Sequence, residues 1–523
     1  MMVRQLLIVV ALMFAWAVPA RADDISAAAR GVVRVVTIAV VDDEVVGFGH
    51  GSGFAVAPNR IVTNAHVVDL ADRYPGNVVI GVVPSEGDRS VQGRLVAIDR
   101  QRDLALIEFN GVRLPPLALF SGMPGDGDTL IALGYPGNVD LATARSAADF
   151  ITPQSPVRSQ GGFAGTRALE GVSVLLHTAS IARGNSGGPL LDRCGRVLGV
   201  NSAITRGDEG DSSFAFAIAN GELAAFLKAA RQPFHSVDVP CTTIEEQLAA
   251  ERSADEQARL QADEAARAAA ARADAQRQEA IAQARARNEA SRENYMAVAA
   301  LMLVLGGVAA GAAVLLYTRD RQREGMWAAA GALMLILAAG IVFVKRPVFD
   351  ETKIEPLPTT AKSGGANLPA ATGTGPMLCT LVPERSRVTV SQTDPVRLDI
   401  GKDGCINGRT QYAEAGARWQ RILVPDQEQT VSVLDYDPST RTYTNTRFLL
   451  GAAQMKEARA VRSAVPIKSC SSDQAARAAL ASQQQTLRAT LPQIYNEKLV
   501  YRCQSASATE ATGSIDAASA GGR

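Results

Sequence analysis

The positive and negative charges of the sequence balance and its histidines are few. Both facts restrict the functions that the chain can have. Lysine and arginine together number 53, and so do aspartate and glutamate, so the formal net charge is zero. This balance gives no electrostatic reason to expect a nucleic-acid partner. The only histidines are His50, His66, His177 and His235. Because no cluster of His, Cys, Asp or Glu has convincing metal-ligand spacing, we predict neither a metal nor another cofactor.

The N-terminus has the pattern of an export signal. Arg4 precedes an apolar run over residues 6–17, and residues 18–22 end in an Ala-x-Ala cleavage pattern. The pattern predicts a signal peptide over residues 1–22 and a mature chain that begins at Asp23. An uncleaved anchor helix is the alternative, but the apolar run is short for a membrane span.

The sequence pattern of residues 23–240 is typical of an all-β domain. Short apolar or alternating runs recur between Gly, Pro, Asn and Asp residues, and Gly221–Ala230 resembles a terminal helix. Nearly two hundred residues of this kind favour a double β-barrel over a small sandwich. The predicted strands cover residues 32–41, 52–56, 78–83, 104–109, 130–133, 172–176, 197–203 and 214–218.

The next part of the chain predicts a stalk and a membrane hairpin. Residues 241–294 are rich in Ala, Glu and Arg and predict a helical stalk, either a solvated single helix or an Ala-rich coiled coil that joins copies into a homo-oligomer. Residues 295–317 and 326–344 are long and apolar enough for two transmembrane helices. The basic turn 318–325 between them is expected on the cytoplasmic side, which places both flanking domains outside the cytoplasm, at the inner membrane on the periplasmic side.

The chain after the hairpin predicts a linker over residues 345–376, a small β-rich domain over residues 377–505 and a disordered tail over residues 506–523. Strand-like runs cover residues 387–390, 396–400, 418–424, 430–434 and 442–450, and a helix is expected over residues 472–491. This domain contains no histidine and no recognisable catalytic set, so a binding or structural role is expected.

Six cysteines in an exported chain make disulfides plausible. Cys194 and Cys241 fall in the first domain, which leaves one pairing there. The second domain contains Cys379, Cys405, Cys470 and Cys503, for which three pairings are open.

Three separated residues predict a nucleophilic site. Ser186 lies in the glycine-rich run 184–190, where a tight turn can expose its hydroxyl and aim the N–H groups of Gly184 and Ser186 at one point. His66 follows an apolar strand and can act as the base for that hydroxyl. Asp103 stands just before another apolar strand and can orient the imidazole, whereas Asp99 is the rival acid. Each residue alone has an ordinary structural reading.

Five blocks in this order resemble the trypsin-like serine proteases, and within them the HtrA/Deg branch. The resemblance covers roughly residues 32–226, and no PDZ module is visible after it. The blocks are Gly51-Ser52-Gly53-Phe54, Thr63-Asn64-Ala65-His66-Val67, Asp103-Leu104-Ala105-Leu106, Leu133-Gly134-Tyr135-Pro136 and Gly184-Asn185-Ser186-Gly187-Gly188-Pro189-Leu190.

The resemblance implies two six-stranded barrels with the catalytic triad His66, Asp103 and Ser186 between them. It also implies an oxyanion hole formed by the N–H groups of Gly184 and Ser186. Ser180 would form the floor of the primary substrate pocket and Phe214 would narrow it, so small or medium apolar side chains are expected there. Ser202, Ala203 and Ile204 would pair with the substrate backbone.

The fold class expected is therefore multidomain: an all-β double-barrel protease domain, a long α-helical stalk, a two-helix transmembrane hairpin and a small β-rich C-terminal domain. The expected function is a membrane-anchored serine endopeptidase that acts on proteins or peptides outside the cytoplasm. The alternative is a protease-fold sensor or scaffold whose C-terminal domain binds a ligand or partner, with proteolysis latent or limited to self-cleavage.

Overall fold

The structure is a computed structural model that describes residues 23–205, 214–319, 321–349, 374–465, 467 and 469–506. The predicted signal peptide, most of the predicted linker and nearly all of the predicted tail lie outside the described residues. The chain divides into two compact units, residues 1–248 with 370–523, and residues 249–369.

The first β-barrel closes in the strand order β1-β2-β3-β6-β5-β4, with antiparallel neighbours throughout. Its strands are rich in Val and Ile, which favour a pleated and buried surface. Residues such as Val33, Ile61 and Ile107 are fully buried inside it. The elements are α1 (Asp24–Ala29), β1 (Val32–Val41), β2 (Glu44–Ala57), β3 (Arg60–Thr63), α2 (Ala65–Arg73), β4 (Val78–Pro84), β5 (Val91–Asp99) and β6 (Leu104–Phe109).

The second barrel is a ring in which β8, β9, β10, β13, β12 and β11 pair in turn and β11 returns to β8. Strands β7 and β14 extend the sheet from β12. The predicted double barrel is thus confirmed. The elements are β7 (Leu119–Phe120), β8 (Thr129–Gly134), α3 (Gly137–Thr143), a 3₁₀ turn (Ala147–Ile151), β9 (Val157–Leu169), β10 (Val172–His177), β11 (Pro189–Leu191), β12 (Val197–Ile204), β13 (Ala215–Ala219), α4 (Asn220–Ala229) and β14 (Ser236–Val237).

The predicted stalk and the first apolar stretch form one continuous helix, α5 (Ile244–Thr318), and α6 (Gln322–Val344) contains the second apolar stretch. Both helices are long and apolar enough to cross a membrane by length and composition. Within the second unit, Gly306 of α5 approaches Ile336 and Ala332 of α6 so closely that an added Cβ would lie 3.0 Å from Ile336 Cγ1.

The C-terminal domain is a nine-stranded sheet in the order β18-β17-β16-β15-β23-β22-β21-β20-β19. Strand β15 begins inside the predicted linker, so this domain starts earlier than the sequence indicated. Two helices accompany the sheet. The elements are β15 (Gly375–Leu381), a 3₁₀ turn (Pro383–Arg385), β16 (Val396–Ile400), β17 (Cys405–Ile406), β18 (Thr410–Gln411), β19 (Ala413–Ala415), β20 (Arg418–Leu423), β21 (Thr430–Asp437), β22 (Thr442–Leu449), α7 (Ala452–Ser463), α8 (Gln474–Thr490) and β23 (Glu497–Ser505).

The strand predicted over residues 387–390 is wrong. Apart from one bridge at Arg387, the segment bends around the fully buried carboxylate of Glu497. The N–H groups of Thr389, Val390 and Ser391 all donate to Glu497 Oε1, at 2.8, 3.0 and 3.0 Å. Successive N–H groups that share one acceptor cannot also alternate across a sheet, so the buried acid replaces the strand ladder.

All six cysteines are paired. Cys194 bonds to Cys241 in the double-barrel part, and Cys379–Cys503 and Cys405–Cys470 lie in the C-terminal domain. The Cys379–Cys503 pair joins directly opposed positions of the neighbouring strands β15 and β23. These bonds resolve the three pairings that the sequence left open in the second domain.

Candidate active site

The two neighbouring strands β3 and β6 bring His66 and Asp103 together. Thr63, at the end of β3, pairs with Ala105 near the start of β6, so the residues just beyond each strand meet. His66 Nδ1 lies 2.9 Å from Asp103 Oδ2 and 3.0 Å from Oδ1. The backbone N–H of His66 also donates to Asp103 Oδ1 at 3.0 Å. The carboxylate therefore holds the ring at Nδ1 and the backbone at its N–H, and Nε2 has no hydrogen-bond partner among the described residues.

Asp103 is held in place by groups from both barrels. Its backbone is in the left-handed region, with φ +53°, and the buried Asn64 side chain donates to its carbonyl at 2.8 Å. From β12, Ser202 Oγ donates to Asp103 Oδ2 at 2.8 Å. The sequence reading placed Ser202 in substrate binding and did not identify its hydroxyl as a partner of Asp103. No local pattern identified this contact, because the two residues are 99 positions apart.

The loop between β10 and β11 presents Ser186 on a turn that depends on glycine. Gly184 and Gly187 have φ values of +99° and +87°. An added Cβ on Gly187 would lie 2.2 Å from the carbonyl oxygen of Ser52. Ser52 anchors the loop through its hydroxyl, which donates to the Gly184 carbonyl at 2.6 Å, and through its N–H, which donates to the Ser186 carbonyl at 2.8 Å.

The N–H groups of Gly184 and Ser186 donate to no acceptor among the described residues, whereas their neighbours are engaged. Asn185 N donates to the Ala182 carbonyl at 3.0 Å and Gly187 N to the Asn201 carbonyl at 2.8 Å. Two unpaired donors beside a serine hydroxyl form the arrangement that stabilises an oxyanion in acyl transfer.

Ser186 itself contacts β12 rather than His66. Its hydroxyl donates to the Ser202 carbonyl at 3.1 Å, and no hydrogen bond joins it to His66 in the described part of the chain. The His66 side chain is 52% exposed. Ser202 thus contacts two of the three predicted residues, with its hydroxyl on Asp103 and its carbonyl on Ser186.

The residues predicted to bind substrate lie around this site to different extents. Ser202 sits at a bulge between Asn201 and Ala203, and Ala203 and Ile204 pair with β13. Both Ala203 and Ile204 are exposed, and β11 pairs with β12 only over Val197–Val200. Asn201 still bonds to Gly187 and Gly188 on this side, so one edge of β12 is open only after Asn201 among the described residues. Ser180 is exposed in the loop that carries Ser186, and Phe214 is half-buried.

A buried cluster that the sequence reading missed supports the Gly184 side of the site. Arg34 Nη2 lies 2.9 Å from Asp140 Oδ1, and Asp140 Oδ2 lies 3.3 Å from His50 Nε2. An added Cβ on Gly184 would approach His50 Nε2 to 2.9 Å, so the cluster contacts the loop that carries Ser186. Burial lowers the pKa of His50, Asp140 raises it and Arg34 lowers it further. No local sequence pattern marks His50 as a partner of Asp140.

His177 lies inside the second barrel beside β12. Its side chain is fully buried, and neither ring nitrogen has a hydrogen-bond partner in the described part of the chain. Burial lowers the pKa of His177 to about 4, and the neighbouring Asn201 offsets a small part of that effect. A neutral buried imidazole of this kind behaves as a packing residue.

Potential metal ligands approach one another at Asp192, Cys194 and Cys241 in the described residues. The two sulfurs are joined in a disulfide, and Asp192 accepts hydrogen bonds from Arg196 at 2.7 and 2.9 Å. These groups are already engaged with one another, so we assign no metal chemistry to them.

Comparison with known proteins places this site in a recognised domain. Residues 51–200, which include His66, Asp103 and Ser186, match the family model for a trypsin-like peptidase domain. Serine protease Rv3671c of Mycobacterium tuberculosis (strain H37Rv) is 31% identical over 188 residues, 34% of this chain and 41% of that protein. The magnetosome formation protease MamE of Magnetospirillum gryphiswaldense is 32% identical over 175 residues, 32% of this chain and 20% of that protein.

A third relative, named "Probable periplasmic serine endoprotease DegP-like", comes from Pseudomonas savastanoi pv. phaseolicola. It is 30% identical over 171 residues, 32% of each chain. The chain thus spans about two fifths or less of the length of these relatives. It carries a trypsin-like peptidase domain whose curated relatives are serine proteases of the HtrA and DegP type.

Proposed function

We propose that this chain is a membrane-anchored serine endopeptidase that cleaves proteins or peptides outside the cytoplasm. The observation that carries the proposal is the two-sided contact of Asp103 with His66, at 2.9 and 3.0 Å, beside a serine turn with two unpaired N–H groups. A base oriented by an acid, next to a nucleophile and an oxyanion site, is the arrangement that acyl transfer requires.

In the proposed reaction, Ser186 Oγ attacks the peptide carbonyl and His66 Nε2 takes the hydroxyl proton. Asp103 holds the ring and stabilises the imidazolium as it forms. The N–H groups of Gly184 and Ser186 stabilise the oxyanion. His66 then returns the proton to the leaving amine, and an acyl ester on Ser186 remains. Water then attacks this ester, and His66 accepts its proton. His66 returns that proton to Ser186 Oγ as the acid product leaves, which restores the free serine.

For substrate binding, we propose that the peptide backbone pairs with the open edge of β12 at Ser202, Ala203 and Ile204. Added strands of this kind supply backbone hydrogen bonds, while pockets read the side chains. We assign the primary pocket to Ser180 and Phe214. Neither residue has a charge to pair with Lys or Arg, so small or medium apolar side chains are preferred.

The burial pattern of α5 and α6 supports membrane anchoring. The buried positions in the apolar parts are small, including Gly306, Ala313, Ala332 and Ala339, whereas large apolar side chains face outward. Small residues at the helix contact and large apolar residues outside are typical of membrane helices. The outward-facing large residues include Leu301, Val304, Val308, Trp327 and Met334, each at least 52% exposed.

The topology that we propose follows from the contacts of the first unit. The peptidase part and the C-terminal domain pack in one compact unit, although α5 and α6 separate them in sequence. Two domains in contact lie on the same side of a membrane, which requires an even number of crossings. Two crossings meet this requirement, and the predicted signal peptide and the periplasmic name of one relative favour the outer side.

One contact favours the alternative of a latent or self-limited protease that serves as a sensor or scaffold. Ser186 Oγ donates to the Ser202 carbonyl, so it must rotate before His66 can accept its proton. Ser186 is half-buried, and rotation of a side chain that solvent reaches is fast, so this contact delays catalysis only if something else holds the hydroxyl there.

Covalent labelling tests the proposal. A fluorophosphonate probe added to intact membranes should label the wild-type chain and not the Ser186→Ala variant. The Ser253→Ala variant, which alters an exposed stalk serine, should label like the wild type. Protease applied from the outer face should remove the labelled domain. Absence of labelling in folded wild-type protein would refute the activity, and a domain protected from shaving would refute the topology. Cleavage of a peptide library tests the pocket assignment. A preference for Lys or Arg at the cleaved position would refute it.

A further inference from the structure

The packing of the C-terminal domain against the peptidase part leaves a cavity of about 410 Å³ between them. One wall comes from the segment around α1 and from residues 113–117, and the other comes from residues 390–392, 427–430 and β22. The volume falls in the range of small-molecule sites. The cavity is distinct from the Ser186 site, because none of His66, Asp103 and Ser186 lines it.

The lining carries a cation that has no acidic partner. Arg30, the residue that follows α1, donates from Nη2 to the Leu449 carbonyl at 2.8 Å and from Nη1 to the Ser26 carbonyl at 3.5 Å. No carboxylate among the described residues forms an ion pair with it. Its pKa is lowered by burial, and the exposed Glu86 offsets this only from a distance. A desolvated guanidinium without an anion is costly, so such groups are usually paired.

Three buried polar atoms in the same lining have no hydrogen-bond partner within the described residues. They are Arg30 Nε, Arg447 Nε and Gln429 Oε1. The two nitrogens need acceptors and the amide oxygen needs a donor. Arg113 and His235 add basic groups to the wall. Of the two acids in the lining, Asp24 is bound to Arg387 and Glu428 is exposed.

We infer that this cavity binds a small anion that carries a carboxylate or phosphate together with a hydroxyl or N–H donor. The anion would pair with Arg30 and with Arg447 Nε, and the donor would reach Gln429. A guanidinium presents a planar fork that suits either acid group. Because both domains form the walls, the ligand would bind only while the domains are in contact, and binding would stabilise that contact.

Two probes test the inference on full-length protein purified in detergent. Citrate offers carboxylates and a hydroxyl, and inorganic phosphate offers the phosphate chemistry alone. Calorimetric titration at constant ionic strength should give saturable binding of at least one probe, with one site per chain. The same probe should raise the thermal unfolding midpoint in a concentration-dependent manner. The probe that binds more tightly identifies the acid group that the site prefers.

Substitutions locate the binding. Arg30→Gln should raise the Kd at least tenfold, and Arg30→Lys should recover part of the affinity. Arg94→Gln is the matched control, because Arg94 is 74% exposed on the first barrel, and it should stay within twofold of wild type. Arg113→Gln alters an exposed residue of the cavity wall, so it should leave the fold intact and weaken binding severalfold.

If Arg30→Gln does not fold, Arg113→Gln decides the matter. The inference is overturned if neither probe binds saturably to wild-type protein, or if the affinity is the same in the folded Arg30 and Arg113 variants as in wild type. Either result leaves the peptidase proposal untouched, because the labelling of Ser186 is measured separately.

Discussion

Gly184 is a position where a single methyl group should remove most of the activity. Its φ of +99° is strained for any other residue, and an added Cβ would lie 2.3 Å from the Tyr135 carbonyl oxygen. Gly184→Ala should therefore displace the N–H that we assign to the oxyanion site. Loss of one such donor costs about 10²–10³ in rate, so we expect kcat/KM for a peptide substrate to fall at least about a hundredfold.

The control for Gly184→Ala is Gly221→Ala. Gly221 lies in α4, where an added Cβ meets nothing within 4 Å. Alanine favours a helix over glycine by about 1 kcal/mol, so this variant should keep full activity and equal or greater stability. Wild-type activity in Gly184→Ala would show that the turn does not supply the oxyanion donor.

His177 should make the peptidase part sensitive to mild acid. Its pKa is about 4 when folded, because of burial, and near 6.5 when exposed in the unfolded chain. Between these values the unfolded state binds the extra proton, so the free energy of unfolding falls as the pH falls, by at most about 1.4 kcal/mol per pH unit from this residue. The urea midpoint for inactivation, assayed after dilution to pH 7.5, should therefore drop from pH 6.5 to pH 4.

A His177→Leu variant isolates that contribution. Whatever its stability at pH 7.5, its urea midpoint should change less between pH 6.5 and pH 4 than that of the wild type, because the titrating ring is gone. An unchanged slope would assign the acid sensitivity to other groups.

The sequence singled out His66, Asp103 and Ser186 but not the groups that contact them. His66, Asp103 and Ser186 could be found because each sits in a short block with its own residue pattern. The hydroxyl contact from Ser202 to Asp103 and the Arg34–Asp140–His50 cluster could not, because they join residues 90 to 106 positions apart. Such contacts depend on how the two barrels close, and no local pattern encodes them.

At the scale of elements, the Cys194–Cys241 bond ties the turn after β11 to the chain just before α5. The two cysteines are 47 positions apart. A loop of this length corresponds to about 4 kcal/mol in the chain-entropy account of disulfides. Cys194→Ser combined with Cys241→Ser should lower the free energy of unfolding of the peptidase part by that order, measured as the urea midpoint for inactivation.

The Cys405–Cys470 bond supplies the comparison. It lies wholly within the C-terminal domain, so replacing both of its cysteines by serine should leave the inactivation midpoint near that of the wild type. Equal losses from the two double variants would mean that the effect is not local to the peptidase part.

The strands of the first domain were predictable where they were apolar, and the more polar ones were not. The predicted runs 32–41 and 104–109 match β1 and β6. Strand β3 was expected only as the apolar strand that precedes His66. Strand β5 was missed because it has no fully buried position to mark a core face, and the polar β9 was missed despite its 13 residues. In the C-terminal domain, the buried Glu497 overrode the strand pattern of residues 387–390 by gathering their N–H groups. Strand propensity is weak evidence against a tertiary contact of this kind.

At the scale of the whole molecule, the two domains of the first unit share a core. Ala118 and Val237 of the peptidase part are buried in the same apolar cluster as Met377 and Tyr436 of the C-terminal domain. The sequence placed the two domains on one side of a membrane but gave no sign that they pack together. The reason is that their contact joins segments separated by α5 and α6.

A buried ion pair crosses the same contact. Arg387 of the C-terminal domain is 1% exposed and binds the carboxylate of Asp24, at the start of α1. Its remaining donors reach the carbonyls of Thr242, at 2.9 Å, and Asn496. Burial raises the pKa of Asp24 and Arg387 lowers it again, so each charge depends on the other. Removing one partner leaves an unpaired buried charge, which costs about 3–5 kcal/mol.

A double-mutant cycle measures how strongly this pair holds the domains together. Asp24→Asn and Arg387→Met should each destabilise the full chain in urea, and the double variant should lose less than the sum of the two, with a coupling above about 1 kcal/mol. The neighbouring pair of Asp23 and Arg158 is the control, since its side chains are 41% and 47% exposed and its coupling should stay below about 1 kcal/mol. If the buried pair couples no more strongly than the exposed pair, the domain contact rests on the shared apolar cluster alone.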